Sequence, residues 1–269
     1  MRRTFALYLR LISVQLRSQM QFRASFWLDV FTTGLLNFSY FASIYLVLER
    51  FGSIGGWTVA EIAFLYGMIE LSFGAMDMLY SGFDPDFFSG FVRMGTLDQL
   101  LLRPVSVTAQ VFGSALVLHR VGRMAQAAVV LVFAFSNLHI DWTPARLLYL
   151  PVVFVCQVAA MGALFMAGST LCFWTVERVE VINVLTYGGT EVMSYPTTIY
   201  PRWLRAFFTY AVPLIFLNFY PALYILGKPD PLGLPAFAPF LAPVVAAAMT
   251  LAALRFWHFG LSRYQSTGT

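Results

Sequence analysis

The residues from Leu147 to Val176 include no Asp, Glu, Lys, Arg or His. About 20 mostly apolar residues are enough for a helix to cross the hydrocarbon core of a bilayer. Lipid accepts only backbones whose polar groups are bonded internally. That one stretch therefore points to a membrane-embedded helical chain, and the rest of the sequence agrees. Charged residues make up 11% of the 269 and apolar residues 59%, whereas soluble domains carry about 25% charged residues. Mean hydropathy is +0.72. Cys156 and Cys172 share the uncharged stretch. On one helix their α-carbons would lie about 24 Å apart, too far for a disulfide.

Six segments read as membrane spans: 26–48, 58–80, 108–138, 146–175, 181–199 and 233–256. The whole chain, 1–269, then reads as a single all-α transmembrane domain. Residues 1–24 carry Arg3, Arg10 and Arg17 on one side and Phe5, Leu9, Ile12, Leu16 and Met20 on the other. This is the pattern of a helix lying on the membrane surface, and an amphipathic helix packed on protein has the same pattern. The recurring arginines interrupt the apolar core that a cleavable signal peptide needs. With the N-terminus inside, twelve of the 17 basic residues fall on the inner side and five on the outer, which favours both termini inside. Arg120 and Arg123 fit poorly, because they lie within the third span. Either that helix starts in the cytoplasm, or the two side chains snorkel to the inner surface.

Ala206 to Gly227 is uncharged and could be a seventh span. Pro213, Asn218 and Pro221 break it, so a pair of short helices dipping in from the outer face, within 200–230, is preferred.

The connection 81–107 holds the strongest local signals. Asp84 reads as a helix cap with Pro85 in the first turn, and Gly95 as that helix's stop. Phe87, Phe88, Phe91 and Val92 form an apolar face that headgroups, the protein itself or a cytoplasmic partner must cover. Thr96 with Gln99 reads as a capping box for a second short helix, Leu97–Leu102, which Arg103-Pro104 ends.

Catalytic motifs are missing. The chain's single lysine, Lys228, precedes Pro229, so no phosphate-cradling G-x-x-x-x-G-K-[ST] loop exists. His119, His139 and His258 lack metal-ligand spacing. Ionisable groups within spans are costly and informative. In the second span Glu70 and Asp77 share a face and Glu61 lies opposite. Glu61 and Asp77 lie near the ends, where they snorkel or cap. Glu70 is central and must face a polar cavity, a partner arginine or a subunit contact. In the fifth span Gly188-Gly189, Glu191 and Pro196 suggest a bent outer half. A structural ion pair is the plainer reading of each acid, and a role in a substrate path the sharper one.

The run Arg93-Met94-Gly95-Thr96-Leu97-Asp98-Gln99-Leu100-Leu101-Leu102-Arg103-Pro104-Val105 resembles the inner-loop signature of ABC-2-type exporter permeases of the daunorubicin-resistance kind. Ile199-Tyr200-Pro201-Arg202-Trp203-Leu204, Pro213 and Asn218-Phe219-Tyr220-Pro221 resemble that family's segment before the last span, with Phe219 where relatives often have tyrosine. The resemblance implies a six-span permease in a bacterial plasma membrane, with cytoplasmic termini and outer re-entrant helices before the last span. It implies a second permease chain, identical or paralogous, and two copies of a separate ATPase that holds ATP and magnesium. This chain would bind no cofactor, metal or nucleic acid. Residues 84–103 would couple it to the ATPase through Arg93, Gly95, Leu97, Asp98, Arg103 and Pro104. The in-span acids noted above make Glu70, Asp77 and Glu191 the candidate intramembrane polar site, and the resemblance makes Pro201, Pro213, Asn218, Tyr220 and Pro221 the outer motif. The opened path would run along spans 1, 2 and 5. An ion-coupled secondary transporter, a membrane enzyme and a non-transporting scaffold are the competing readings. The first would want an internal repeat and several central acids.

Overall fold

The computed structural model describes residue 21 and residues 23–266. The surface helix expected over 1–24 lies almost wholly outside the described residues. Helices form nearly all the regular structure, and Ile54 and Trp57 make the one isolated β-bridge among the described residues.

α1 (Arg23–Phe51) and α2 (Val59–Leu79) are the first two long helices. α2 begins with a full capping box, in which Thr58 N–H donates to Glu61 Oε2 at 2.8 Å and Glu61 N–H to Thr58 Oγ1 at 3.4 Å. Three short helices follow at the opposite end: α3 (Pro85–Arg93), α4 (Thr96–Leu101) and α5 (Val107–Phe112). α6 (Val121–Asn137) and α7 (Pro144–Thr175) cross back and return. α8 (Glu180–Ser194) leads to the short α9 (Arg202–Ala206) and α10 (Phe219–Leu226), and α11 (Ala242–Arg263) closes the chain.

Among the described residues, five helices are long and apolar enough to cross a membrane. The segments 202–211 and 214–226 would make a sixth crossing if taken together, but they meet at a bend of 77°. The break falls at Val212-Pro213, where proline has no N–H to continue a ladder.

Several expected boundaries shift. The third span is not continuous over 108–138: α5 ends at Phe112 with Gly113 as its cap, and a 3₁₀ turn, Leu118–Arg120, precedes α6. The segment expected as the fifth span forms a helix of only 15 residues, about 22 Å long, and is not among those five. The bend expected at Gly188-Gly189 does not occur. α8 runs through these glycines, and a β-carbon on Gly189 would lie 2.6 Å from Leu214 Cδ1. The missing side chain admits the outer segment rather than breaking the helix. The last span starts later than 233 because Pro229, Pro231 and Pro235 keep that stretch irregular.

α2 is the central helix: 83% of its apolar window is buried, against 6% for α1. α2 packs on α6, α7 and α8, and α7 packs along α11. α1 leans chiefly on α6. A β-carbon on Gly122 would strike the Val30 carbonyl oxygen, and one on Gly34 would lie 3.2 Å from the Gly122 oxygen. The α1–α6 crossing is thus a close backbone contact of the small-residue type. Gly122→Leu is expected to release α1 while the rest of the bundle stays folded. Limited proteolysis should then cut the 51–58 connection faster, with 144–263 still protected, and unchanged cleavage would refute the crossing.

Candidate functional site

Three polar constellations stand at three depths of the bundle. The innermost loop region comes first. Asp84 caps α3, its Oδ1 accepting from Asp86 N–H at 2.9 Å. Burial raises the Asp84 carboxyl above its usual range, against the pull of that N–H. Phe88 and Val92 turn inward and are buried. Phe88 meets Phe173 of α7 and Trp257 of α11 with ring centroids 5.6 and 5.3 Å apart. The protein itself therefore covers the inner half of the aromatic face.

The capping box expected at Thr96 and Gln99 does not form. Gly95, at φ +66°, occupies the cap position without a side-chain bond, and Thr96 is the first helical residue. Its hydroxyl donates backward to the Phe91 carbonyl at 3.3 Å. Only glycine takes that left-handed turn cheaply, so Gly95 sets the angle between α3 and α4. Leu97 is fully buried. Asp98 Oδ2 accepts from Ser266 Oγ at 2.5 Å, beyond the end of α11. Arg93 pairs with Glu177 at 3.3 Å, and Arg178 with Asp86 at 2.6 Å and Glu180 at 2.9 Å. Each exposed pair contributes little alone. Together they clip α3 to the α7–α8 turn, where Val176 holds a left-handed φ of +61°, a costly conformation for a β-branched residue. The outward face carries Phe87, Met94, Leu101, Arg103, Pro104 and Leu102, the last 87% exposed.

The second constellation lies in the middle of the bundle. Arg123 of α6 donates from Nε to Glu70 Oε2 at 2.5 Å and from Nη2 to Glu70 Oε1 at 2.9 Å. Its guanidinium also stands 4.4 Å from the Phe73 ring centroid. Arg120 Nε lies 2.8 Å from Asp77 Oδ2; neither atom has an aligned hydrogen bond, so this contact is ionic. Glu70 and Asp77 do share a face, and it is the face that meets α6. Neither arginine snorkels to the inner surface and Asp77 does not reach water, because each charge finds its partner sideways on the neighbouring helix. Glu61, on the far side, pairs with Lys228 at 2.8 Å at the end of the bundle away from 84–103.

Beside Glu70 opens a cavity of about 520 Å³. Asn37, Tyr40 and Ser43 of α1 line one wall, Tyr66 and Glu70 of α2 the floor, and Glu191 with Tyr195 the third side. Glu191 makes no ion pair among the described residues. Of the three acids expected to cluster, Glu70 and Glu191 share this cavity, and Asp77 stands one rung inward.

The third constellation was only half visible in the sequence. Asn218, 1% exposed, donates to the carbonyls of Leu65 at 3.0 Å and Met193 at 2.8 Å. Its Oδ1 accepts from Gln157 Nε2 at 2.9 Å, and Gln157 Oε1 accepts from Ser72 Oγ at 2.6 Å. One amide thus joins α2, α7, α8 and the outer segment. Gln157 carries no local signal of this role. Tyr220 reaches Asp230 at 3.4 Å and stacks on Phe216. Pro221 sits in the first turn of α10, Pro213 at the bend and Pro201 at the start of α9.

Long apolar helices whose buried charges pair from one helix to the next define a multi-pass membrane protein. Residues 35–268 match the family model described as ABC-2 family transporter protein. The chain belongs to that family and is a membrane permease component of an ABC transporter. Neither curated proteins nor solved structures give a match.

Proposed function

We propose that two copies of this chain, or this chain and a paralogue, form an export path between them, driven by two copies of a separate ATPase docked on residues 84–103. ATP and magnesium belong to that ATPase. The observation that carries this reading is the inner element itself. It is anchored from below by Phe88, Val92 and Leu97, yet presents Leu102, Met94, Phe87 and Arg103 outward. A rigid platform with an exposed apolar and basic surface suits a protein partner. Arg93 and Asp98 act as organisers of this platform through Glu177 and Ser266.

Motion of the platform has two physical routes. One runs through the 3₁₀ turn Ser81–Phe83 into α2. The other runs through the Asp86–Arg178 clip into α8, whose far end carries Glu191. Packed helices move as units, so a small push at one end shifts the other. The resulting path lies along α1, α2 and α8, where the cavity opens. The sharply bent pair 202–226 serves as a re-entrant hairpin, with Arg202, Arg205 and Lys228 all at the outer end. With Arg120 and Arg123 set aside as paired, ten basic residues against five still favour the loop 81–107 and both termini in the cytoplasm. That the membrane is the bacterial cytoplasmic one is carried only by the likeness to the exporter permeases named above.

The test is co-purification with a Walker A ATPase, sought first among the genes next to this one. Leu102→Glu combined with Arg103→Glu is expected to cut ATPase recovery at least about tenfold, the loss of roughly 1.4 kcal/mol. Expression level and melting temperature should stay near those of the unmodified chain. Full recovery of the ATPase on this variant would remove residues 84–103 as the docking element.

A further inference from the structure

The charges around the central cavity do not cancel. Glu70 and Arg123 neutralise each other through two hydrogen bonds. Glu191, on the opposite wall, has no ion pair among the described residues, so the cavity carries one excess negative charge. Its remaining surface joins the rings of Tyr40, Tyr66 and Tyr195 to Ile44, Val47 and Ile54, with the polar Asn37 and Ser43 on the α1 wall. A carboxylate within a membrane span is costly unless something offsets it. Tyrosine rings supply apolar area, and their faces attract cations. A volume of about 520 Å³ lies within the range of drug-sized binding sites, about 300–1,000 Å³.

We infer that this cavity binds a monovalent organic cation with an apolar body, with Glu191 as its counter-charge and the tyrosine rings packed on its body. An anion of the same shape meets the wrong sign at Glu191, and the Arg123 charge is already spent on Glu70. A neutral ligand leaves Glu191 unmatched. The inference rests on the proposed export path only in making the bound cation cargo. Binding itself needs no ATPase.

The test uses the full chain in nanodiscs without any ATPase, with empty nanodiscs as the background. Tetraphenylphosphonium and tetraphenylborate are the probes, since they share a shape and differ in sign. Saturable tetraphenylphosphonium binding is expected. Glu191→Gln should weaken it at least about tenfold, a difference of roughly 1.4 kcal/mol. Glu191→Asp, which keeps the charge, should restore most of the affinity. Tetraphenylborate binding should not weaken in Glu191→Gln. Equal phosphonium affinity in the unmodified and Gln chains overturns the inference, as does the absence of saturable binding. So does a change in the mass of the purified assembly on Glu191→Gln, because Glu191 then serves a contact between copies. A failure of the ATPase to co-purify would count against the export reading and leave this binding result standing.

Discussion

Arg123→Leu should lower the stability of the bundle by about 3–5 kcal/mol, the usual loss when one partner of a buried ion pair is removed. The reason is geometric. The side chains of Glu70 and Arg123 are 4% and 13% exposed, so Glu70 would be left as an unmatched acid between α2 and α6. Its nearest remaining cation would be Arg120, which is engaged with Asp77. The double variant Glu70→Leu with Arg123→Leu should recover most of the loss, because well-packed apolar residues commonly replace a buried pair at little cost. The measurement is the melting temperature in detergent, read by size-exclusion chromatography after heating. Each kcal/mol corresponds to about 2–4 °C in a chain of this order of size, so a drop near 10 °C is expected for the single variant. If the single variant melts with the unmodified chain, or the double variant melts lower than both singles, the pair does not hold α2 to α6.

Asn218→Ala should be the next most damaging change. Asn218 bonds to the carbonyls of Leu65 and Met193 and to the Gln157 amide, each in a different helix. A buried group left unsatisfied costs about 1–3 kcal/mol. Two such losses, with a cavity beside them, give roughly 2–5 kcal/mol. Gln157→Leu would strip both the Asn218 bond and the Ser72 bond. Because the two residues act through one network, their effects should be non-additive by about 1 kcal/mol or more in a double-mutant cycle. Additive losses would show that the contacts are independent. Asn218→Asp is the sharper variant: it keeps the shape but turns the two donated bonds into repulsive oxygen contacts, and it should exceed the alanine loss.

Much of the architecture was legible because lipid imposes long apolar runs. The uncharged stretch from Leu147 became α7, and Asp84-Pro85 capped α3 as its chemistry dictates. The errors have a common origin in tertiary structure. Arg120 and Arg123 looked misplaced because hydropathy prices each charge alone, while the bundle supplies Asp77 and Glu70 from another helix. Thr96 and Gln99 have the composition of a capping box, but Gly95 already turns the chain in the left-handed region, so Thr96 enters the helix instead. The Gly188-Gly189 pair looked like a break and is a seat for Leu214. Gln157 could not be singled out at all, since one amide in a long apolar helix has no partner in sequence. The short helices of 81–107 and the break near Pro213 followed from local residues, whereas any role for them came only from the resemblance.

The lopsided attachment of α1 has a consequence for biosynthesis. This helix leaves the ribosome first among those described, yet its main neighbour, α6, begins only at Val121. It must wait in the bilayer for roughly seventy further residues to be made, since it ends at Phe51. Its polar side chains suit that interval: Asn37 donates to the Thr33 carbonyl at 2.8 Å, Ser39 to Leu36 at 2.7 Å and Ser43 to Ser39 at 2.8 Å. These three donors are satisfied within their own coil, which lowers the cost of resting against acyl chains in that interval. Until then α2 offers it a few contacts, among them Tyr66 Oη donating to the Asn37 carbonyl at 3.1 Å, and the close crossing forms when Gly122 arrives.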